Sequence, residues 1–226
     1  MKIIPVIDLL RGRAVHAIRG RRSAYRPWQS VLCPDGQVLP LVRRLHEQLQ
    51  FPLIYLADLD AIQGQASQLA LVGQIADTFP DLQIWLDGGF RTPSSLAAAT
   101  DERILPVVGS ETWTDPASPI GDKALLSIDR GVDGLRDPSG IAHDAARRPV
   151  DLILMNLERV GADSGPDLAM LEHWRAEAPS ARLYLAGGVR NVADLETIAR
   201  AGAAGTLVAS ALHDGRLDAR IIARLR

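Results

Sequence analysis

Eight short apolar runs punctuate the chain, at residues 3–7, 53–57, 82–86, 104–108, 124–128, 152–155, 183–186 and 206–209. Each has strand length, and each is apolar throughout instead of alternating with polar residues. That is the pattern of parallel strands covered on both faces. Longer amphipathic or Ala-rich stretches lie between them and predict helices over 39–49, 68–78, 93–99, 141–148, 168–178, 192–201 and 218–225. Thr92-Pro93 and Asn191 supply helix start signals. The fourth connection, 112–123, contains Pro116 and Pro119 and predicts a short or absent fourth helix. Eight strand–helix alternations predict a (βα)8 TIM barrel occupying residues 1–226 as one domain. A doubly wound open sheet is the second choice, since it rarely needs eight such short units.

The two halves of the chain repeat each other. Leu86-Asp87-Gly88-Gly89-Phe90-Arg91 aligns with Leu185-Ala186-Gly187-Gly188-Val189-Arg190 at an offset of 99. Val108-Gly109-Ser110 aligns with Val208-Ala209-Ser210 at 100, Leu59-Asp60 with Leu157-Glu158 at 98, and Ile7-Asp8 with Ile128-Asp129 at 121. Four matches in order predict two similar half-barrels, about 1–120 and 121–226.

A βα barrel carries its chemistry at the carboxyl ends of the strands. Asp8 and Asp129 end strands one and five, on opposite sides of the barrel, and are the candidate catalytic residues. Two carboxylates across a central substrate can divide general-acid and general-base work. Each Gly-Gly-x-Arg follows a strand and opens a helix, where backbone N–H groups favour an anion. Gly88, Gly89, Arg91, Gly109 and Ser110 are therefore candidates for one phosphate site. Gly187, Gly188, Val189, Ala209 and Ser210 are candidates for a second. The plainer alternative is that these glycines only make tight turns. Asp58 and Asp60 are weaker candidates, for holding or capping a loop. Residues 19–26, with Arg19, Arg21, Arg22 and Arg26, are either a lid over an anionic ligand or a solvated loop.

Composition narrows the partners. A net charge of −2 gives no global basic field for nucleic acid. No apolar run approaches the roughly 18 residues of a membrane span. The single cysteine, Cys33, excludes an internal disulfide and fits a reducing cytoplasm. The opening Met1-Lys2-Ile3-Ile4-Pro5 has no cleavage signature and is read as part of the folded chain. The five histidines are scattered, so no metal site is expected.

Ile4-Pro5-Val6-Ile7-Asp8-Leu9 with Gly12 and Val15, then Asp58-Leu59-Asp60, Gly88-Gly89-Phe90-Arg91, Ala186-Gly187-Gly188-Val189 and Ser210-Ala211-Leu212-His213-Asp214-Gly215, resemble in order the motifs of one family. It is the histidine-biosynthesis family of the phosphoribosylformimino-aminoimidazole carboxamide ribotide isomerase and its sister, the cyclase subunit of imidazole glycerol phosphate synthase. The resemblance implies a barrel of two halves and a small-molecule substrate with two phosphates. It also implies a cofactor-free and metal-free Amadori isomerisation of an aminoaldose to an aminoketose. By position it makes Asp8 the base at C2 and Asp129 the acid that opens the ribose ring. It places one phosphate at Gly89, Arg91, Gly109 and Ser110 and the other at Gly188, Val189, Ala209 and Ser210.

Strand six departs from the family pattern. The family's threonine falls on Met155 and its loop aspartate on Val160, with Glu158 and Asp163 as the nearby acids. His16 stands where an arginine is usual, and the fifth loop lacks the family's tryptophan. Neither a thioether nor an isopropyl group serves a sugar hydroxyl as those residues do. Two further readings follow: a divergent paralogue acting on another phosphorylated metabolite, for example in one-carbon cofactor biosynthesis, and a non-catalytic binder of phosphate ligands.

Overall fold

The computed structural model describes residues 1–97, 99 and 101–225. Eight parallel strands form a closed ring: β1 (Lys2–Leu10), β2 (Leu53–Asp58), β3 (Gln83–Asp87), β4 (Ile104–Gly109), β5 (Leu125–Gly131), β6 (Asp151–Asn156), β7 (Arg182–Ala186) and β8 (Gly205–Val208). Each pairs with the next, and β8 returns to β1 through Lys2–Gly205 to Pro5–Val208. The apolar runs become strands because period-two alternation sends successive side chains to opposite sides, both of them dry. Ile54, Leu56, Ile84, Leu86, Leu126, Ile128 and Leu154 face the outer shell of core. Ile4, Tyr55, Trp85, Val107, Leu125, Ile153, Tyr184 and Leu207 fill the barrel.

The sequence repeat is reproduced in the strand register. Asp8 pairs with Ala57 as Asp129 pairs with Met155, and Ala57 pairs with Asp87 as Met155 pairs with Ala186. Asp87 pairs with Val107 as Ala186 pairs with Leu207. Even the two seams agree, with Val208 beside Pro5 and Val108 beside Leu126. Matched positions of strands one to four and five to eight thus pair in equivalent register.

The outer layer is less regular. Helices α1 (Val38–Arg43), α2 (Leu69–Thr78), α3 (Pro93–Ala97), α4 (Leu168–Glu177), α5 (Val192–Arg200) and α6 (Ala219–Leu225) follow strands one, two, three, six, seven and eight. Residues 112–123 form no helix, as Pro116 and Pro119 led us to expect. The helix expected over 141–148 is also absent, and this corrects the sequence reading: the segment is a series of turns. Its physical cause is local competition from side chains. Asp137 accepts the N–H groups of Ile141 and Ala142, and Asp144 takes those of Ala146 and the Arg147 guanidinium. Ile141 and Ala142 still anchor the stretch in the core. Among the described residues no helix is long and apolar enough to cross a membrane.

Two short hairpins extend the ring. At the end of β1 a two-residue turn, Arg11-Gly12, with φ of 51° and 73°, reverses the chain into Arg13–His16. That segment then pairs with Arg26–Pro27. Gly134–Leu135 pairs back on the end of β5.

Candidate active site

Alternation along β1, β3 and β5 turns Asp8, Asp87 and Asp129 into the barrel mouth, above the layer of Ile4, Trp85 and Leu125. All three line a cleft at the carboxyl ends of the strands. Gly109 lines it too, and a Cβ there would stand 3.1 Å from Asp129 Oδ2, tighter than ordinary van der Waals contact.

Removal from water raises the carboxyls of Asp8 and Asp129. Burial, and then the neighbouring charge of Asp87, push Asp8 up to about 7. The same two causes push Asp129 up to about 8. A 2.7 Å bond from Ser127 Oγ and a 3.3 Å bond from the Glu111 N–H act against that rise, while the Glu111 charge adds to it. Asp87 itself accepts the Tyr55 hydroxyl at 3.0 Å and the Gly89 N–H at 3.3 Å. Tyr55 is buried, and burial with the Asp87 charge holds its phenol well above the ordinary range.

The two glycine loops, matched in sequence, differ in their surroundings. Gly187, Gly188, Val189, Ala209 and Ser210 all line the cleft. Gly188 has φ of 86°, and a Cβ would overlap the Gly165 carbonyl, so the backbone is held at close approach. In the first half, Gly88, Gly89, Arg91 and Ser110 do not line the cleft. A Cβ on Gly88 would meet the Phe90 ring at 2.7 Å, and one on Gly89 the Ala61–Ile62 backbone at 2.6 Å. These glycines answer to packing. Arg91 is exposed and reaches the Ile62 carbonyl at 3.4 Å. Ser110 is fully buried; its Oγ donates to the Arg136 carbonyl at 2.7 Å and accepts the Asp129 N–H at 2.9 Å.

Other expected positions also find places. Asp58 caps the segment before α2, accepting from Ala61 N, Ser67 Oγ and Gln68 N, and Asp60 holds the Arg11 N–H at 2.7 Å. Met155, Val160 and Asp163 line the cleft, whereas Glu158 is exposed outside it. Asp163 pairs with Arg216 at 2.6 Å. The first loop roofs the cleft with Ala17, Gly20 and Tyr25, and the Arg19 N–H donates to the Val160 carbonyl at 2.8 Å. Arg19, Arg21 and Arg26 are exposed on its outer surface.

This roof is anchored by a three-ring stack that the sequence reading did not foresee. His16 lies on Trp28 with centroids 4.1 Å apart, and Trp28 lies on His213 at 3.8 Å and 2°. His16 Nε2 is 3.4 Å from Ser210 Oγ, and His213 Nδ1 is 2.8 Å from Ser30 Oγ. Burial, with the His16 charge second, pushes His213 down to about 3; burial also lowers His16.

Asp87, Tyr55, Glu111 and Arg136 were likewise missed. Asp87 carried one usable signal, because it stands at a strand end in a quoted motif where the other half has Ala186. Glu111 pairs with Arg136 at 2.9 Å beside Asp129, a contact across loops that no spacing reveals. Among the described residues no group of three or more His, Cys, Asp or Glu is placed to hold a metal ion.

Comparison with known proteins adds the following. Residues 2–218 match the family described as histidine biosynthesis protein. An uncharacterised protein of Methanocaldococcus jannaschii is 27% identical over 221 residues, covering 96% of each chain. Two proteins named as imidazole-4-carboxamide isomerases with phosphoribosyl substituents are also similar. That of Xanthomonas campestris is 28% identical over 241 residues, covering 96% of each chain. That of Pyrobaculum aerophilum is 29% identical over 232 residues, covering 95% of this chain and 96% of its own.

Proposed function

The chain belongs to the histidine biosynthesis protein family, and from that premise we propose that it is an acid–base isomerase of a phosphorylated sugar derivative. One observation carries this reading. Asp8 and Asp129 enter the same cleft from opposite strands, at equivalent register, and each is held with a proton available near neutral pH. A general acid and a general base work best with pKa values near the operating pH.

The reaction is an aldose-to-ketose shift of the Amadori type. Asp129 gives its proton to the ring oxygen as the C1–O bond breaks, leaving an open-chain iminium. Asp8 in its carboxylate form takes the C2 proton to give an enolamine; C1 is then protonated while the C2 hydroxyl gives its proton to the Asp129 carboxylate, and the aminoketose forms. Atoms and electrons balance within the substrate, so no cofactor is called for. The phosphate lies against Gly188, Val189 and Ser210, where backbone N–H groups and the loop after β8 favour an anion. The roof formed by Ala17, Gly20 and Tyr25 excludes water from the iminium.

A second reading is favoured by Met155 and Val160, both on the cleft wall. They present no hydrogen-bonding group to a sugar, which fits a paralogue acting on another phosphorylated metabolite. Turnover of the histidine-pathway aminoaldose, followed in D2O, tests the first reading: deuterium enters at C1 and the Asp8→Asn variant abolishes exchange. Absence of turnover together with failure to complement a histidine auxotroph lacking the isomerase selects the second.

A further inference from the structure

We propose that the substrate carries a single phosphate, bound on the β7–β8 side, and that its other end is neutral or cationic. The inference rests on the phosphate reading above, goes with the second of the two readings, since the histidine-pathway substrate carries two phosphates, and departs from the two-phosphate expectation of the repeat. It follows from what has become of the first glycine loop and its neighbour.

An anion held by a loop of this kind needs backbone N–H groups and hydroxyls that point at it. In the β3–β4 half those groups are engaged by the protein. The Gly89 N–H serves Asp87, the Glu111 N–H serves Asp129, and the Ser110 N–H serves the Ser127 carbonyl. The Ser110 hydroxyl is used at both ends, by the Arg136 carbonyl and the Asp129 N–H. Internal carboxylates occupy the loop's anion-binding capacity. The side chain of Glu111, at the start of this loop, adds a further carboxylate, and it engages the Arg136 guanidinium. A dianion arriving there would have to displace these bonds, beside the carboxyl groups of Asp87, Glu111 and Asp129.

The β7–β8 half is built differently at each matching position. Ala186 replaces Asp87, so the strand end sets no carboxylate beside the Gly188 N–H, and the carboxylate of Asp194 engages this loop at the Arg190 N–H instead. Ser210 is half-buried on the cleft wall with its Oγ near His16, where Ser110 is sealed. Ala211 replaces Glu111 and adds no charge. The repeat is preserved in the backbone and divided in its chemistry, one half keeping an anion cradle and the other turning its donors inward.

Amide NMR of the intact, 15N-labelled protein titrated with inorganic phosphate at constant pH tests this. Saturable shifts confined to Gly188, Val189, Ser210 and Ala211 are expected, and Ser210→Asp should abolish them while the remaining spectrum stays folded. Saturable shifts at Gly89, Gly109 and Ser110 as well would overturn the single-phosphate inference and leave the isomerase reading standing. No saturable shift in either loop would remove the phosphate reading, and this inference with it. A bisphosphate long enough to span the mouth should bind no more tightly than its monophosphate counterpart. A tenfold advantage for the bisphosphate that Arg91→Ala removes would also overturn the proposal.

Discussion

Tyr55 donates its hydroxyl hydrogen to Asp87 Oδ2 at 3.0 Å, and through that bond a residue from the barrel interior fixes the carboxylate that stands nearest in charge to both Asp8 and Asp129. Asp87 raises both neighbours, so Tyr55 acts on the acid–base pair without touching it. Replacement by Phe removes a hydrogen bond to a charged acceptor, a loss of about 1.5–3 kcal/mol in denaturant unfolding. The pH profile of turnover should also move in Tyr55→Phe, which a purely structural role would leave in place.

Asp8→Asn and Asp129→Asn should each lower turnover by about 10²–10⁴-fold, the range for loss of a positioned acid or base. Circular dichroism should show both variants folded. Full activity in either would remove that residue from the mechanism.

The same pair sets the pH dependence. With groups near 7 and 8, turnover should follow a bell whose two apparent limits belong to the pair. Stability has a definite sign as well. Both carboxyls titrate higher in the folded state than unfolded, so the folded chain holds more protons between about pH 4 and 8. Their contribution is present below pH 4 and is lost as pH rises through 7 and 8. His213 acts oppositely: its folded value near 3 lies below the unfolded one, so its contribution is present above about 6.5 and is lost as pH falls. Urea midpoints at pH 5 and 8 should fall with rising pH less steeply in the Asp8→Asn, Asp129→Asn double variant than in the parent chain.

Ser110 and Ser210, matched in sequence, should answer to different assays. Ser110→Ala leaves the Asp129 N–H and the Arg136 carbonyl without their hydroxyl and should cost about 1–3 kcal/mol of stability. Ser210→Ala should leave the unfolding midpoint nearly unchanged and weaken phosphate binding. Similar effects in both assays would contradict the division of labour between the halves.

Trp28→Ala removes the middle ring of the His16–Trp28–His213 stack. A loss of about 3–5 kcal/mol is expected for truncating a buried Trp. Trp28→Phe should recover most of the stability. If the stack also holds the roof shut, the KM of the Phe variant should rise more than its kcat falls.

The barrel was legible because its signal is local: continuous apolar runs of strand length, repeated eight times with turn chemistry between. The matched motifs could be lined up because they lie at strand ends, where the strand pairs carry the same offsets. Side-chain destinations were not legible. The sequence of Gly88-Gly89-Phe90-Arg91 is compatible with an anion cradle, and it shows neither the approach of Ala61–Ile62 nor the bond from the Gly89 N–H to Asp87. The missing helix over 141–148 was misread for a related reason, since Asp137 and Asp144 compete for its first N–H groups from positions a periodicity count ignores. The aromatic stack joins residues 185 positions apart, Trp28 and His213, and leaves no trace in spacing.

The ladder from Lys2–Gly205 to Pro5–Val208 has a consequence for the protein at high concentration. A sheet that returns to its first strand presents no long row of unsatisfied amides for a second molecule to copy. Among the described residues the sheet ends at the two-residue strands Arg26–Pro27 and Gly134–Leu135. One contains an imino acid that cannot donate, and both are too short to template a ladder. The closure that assembles the carboxylates at one mouth therefore also guards the chain against edge-to-edge aggregation.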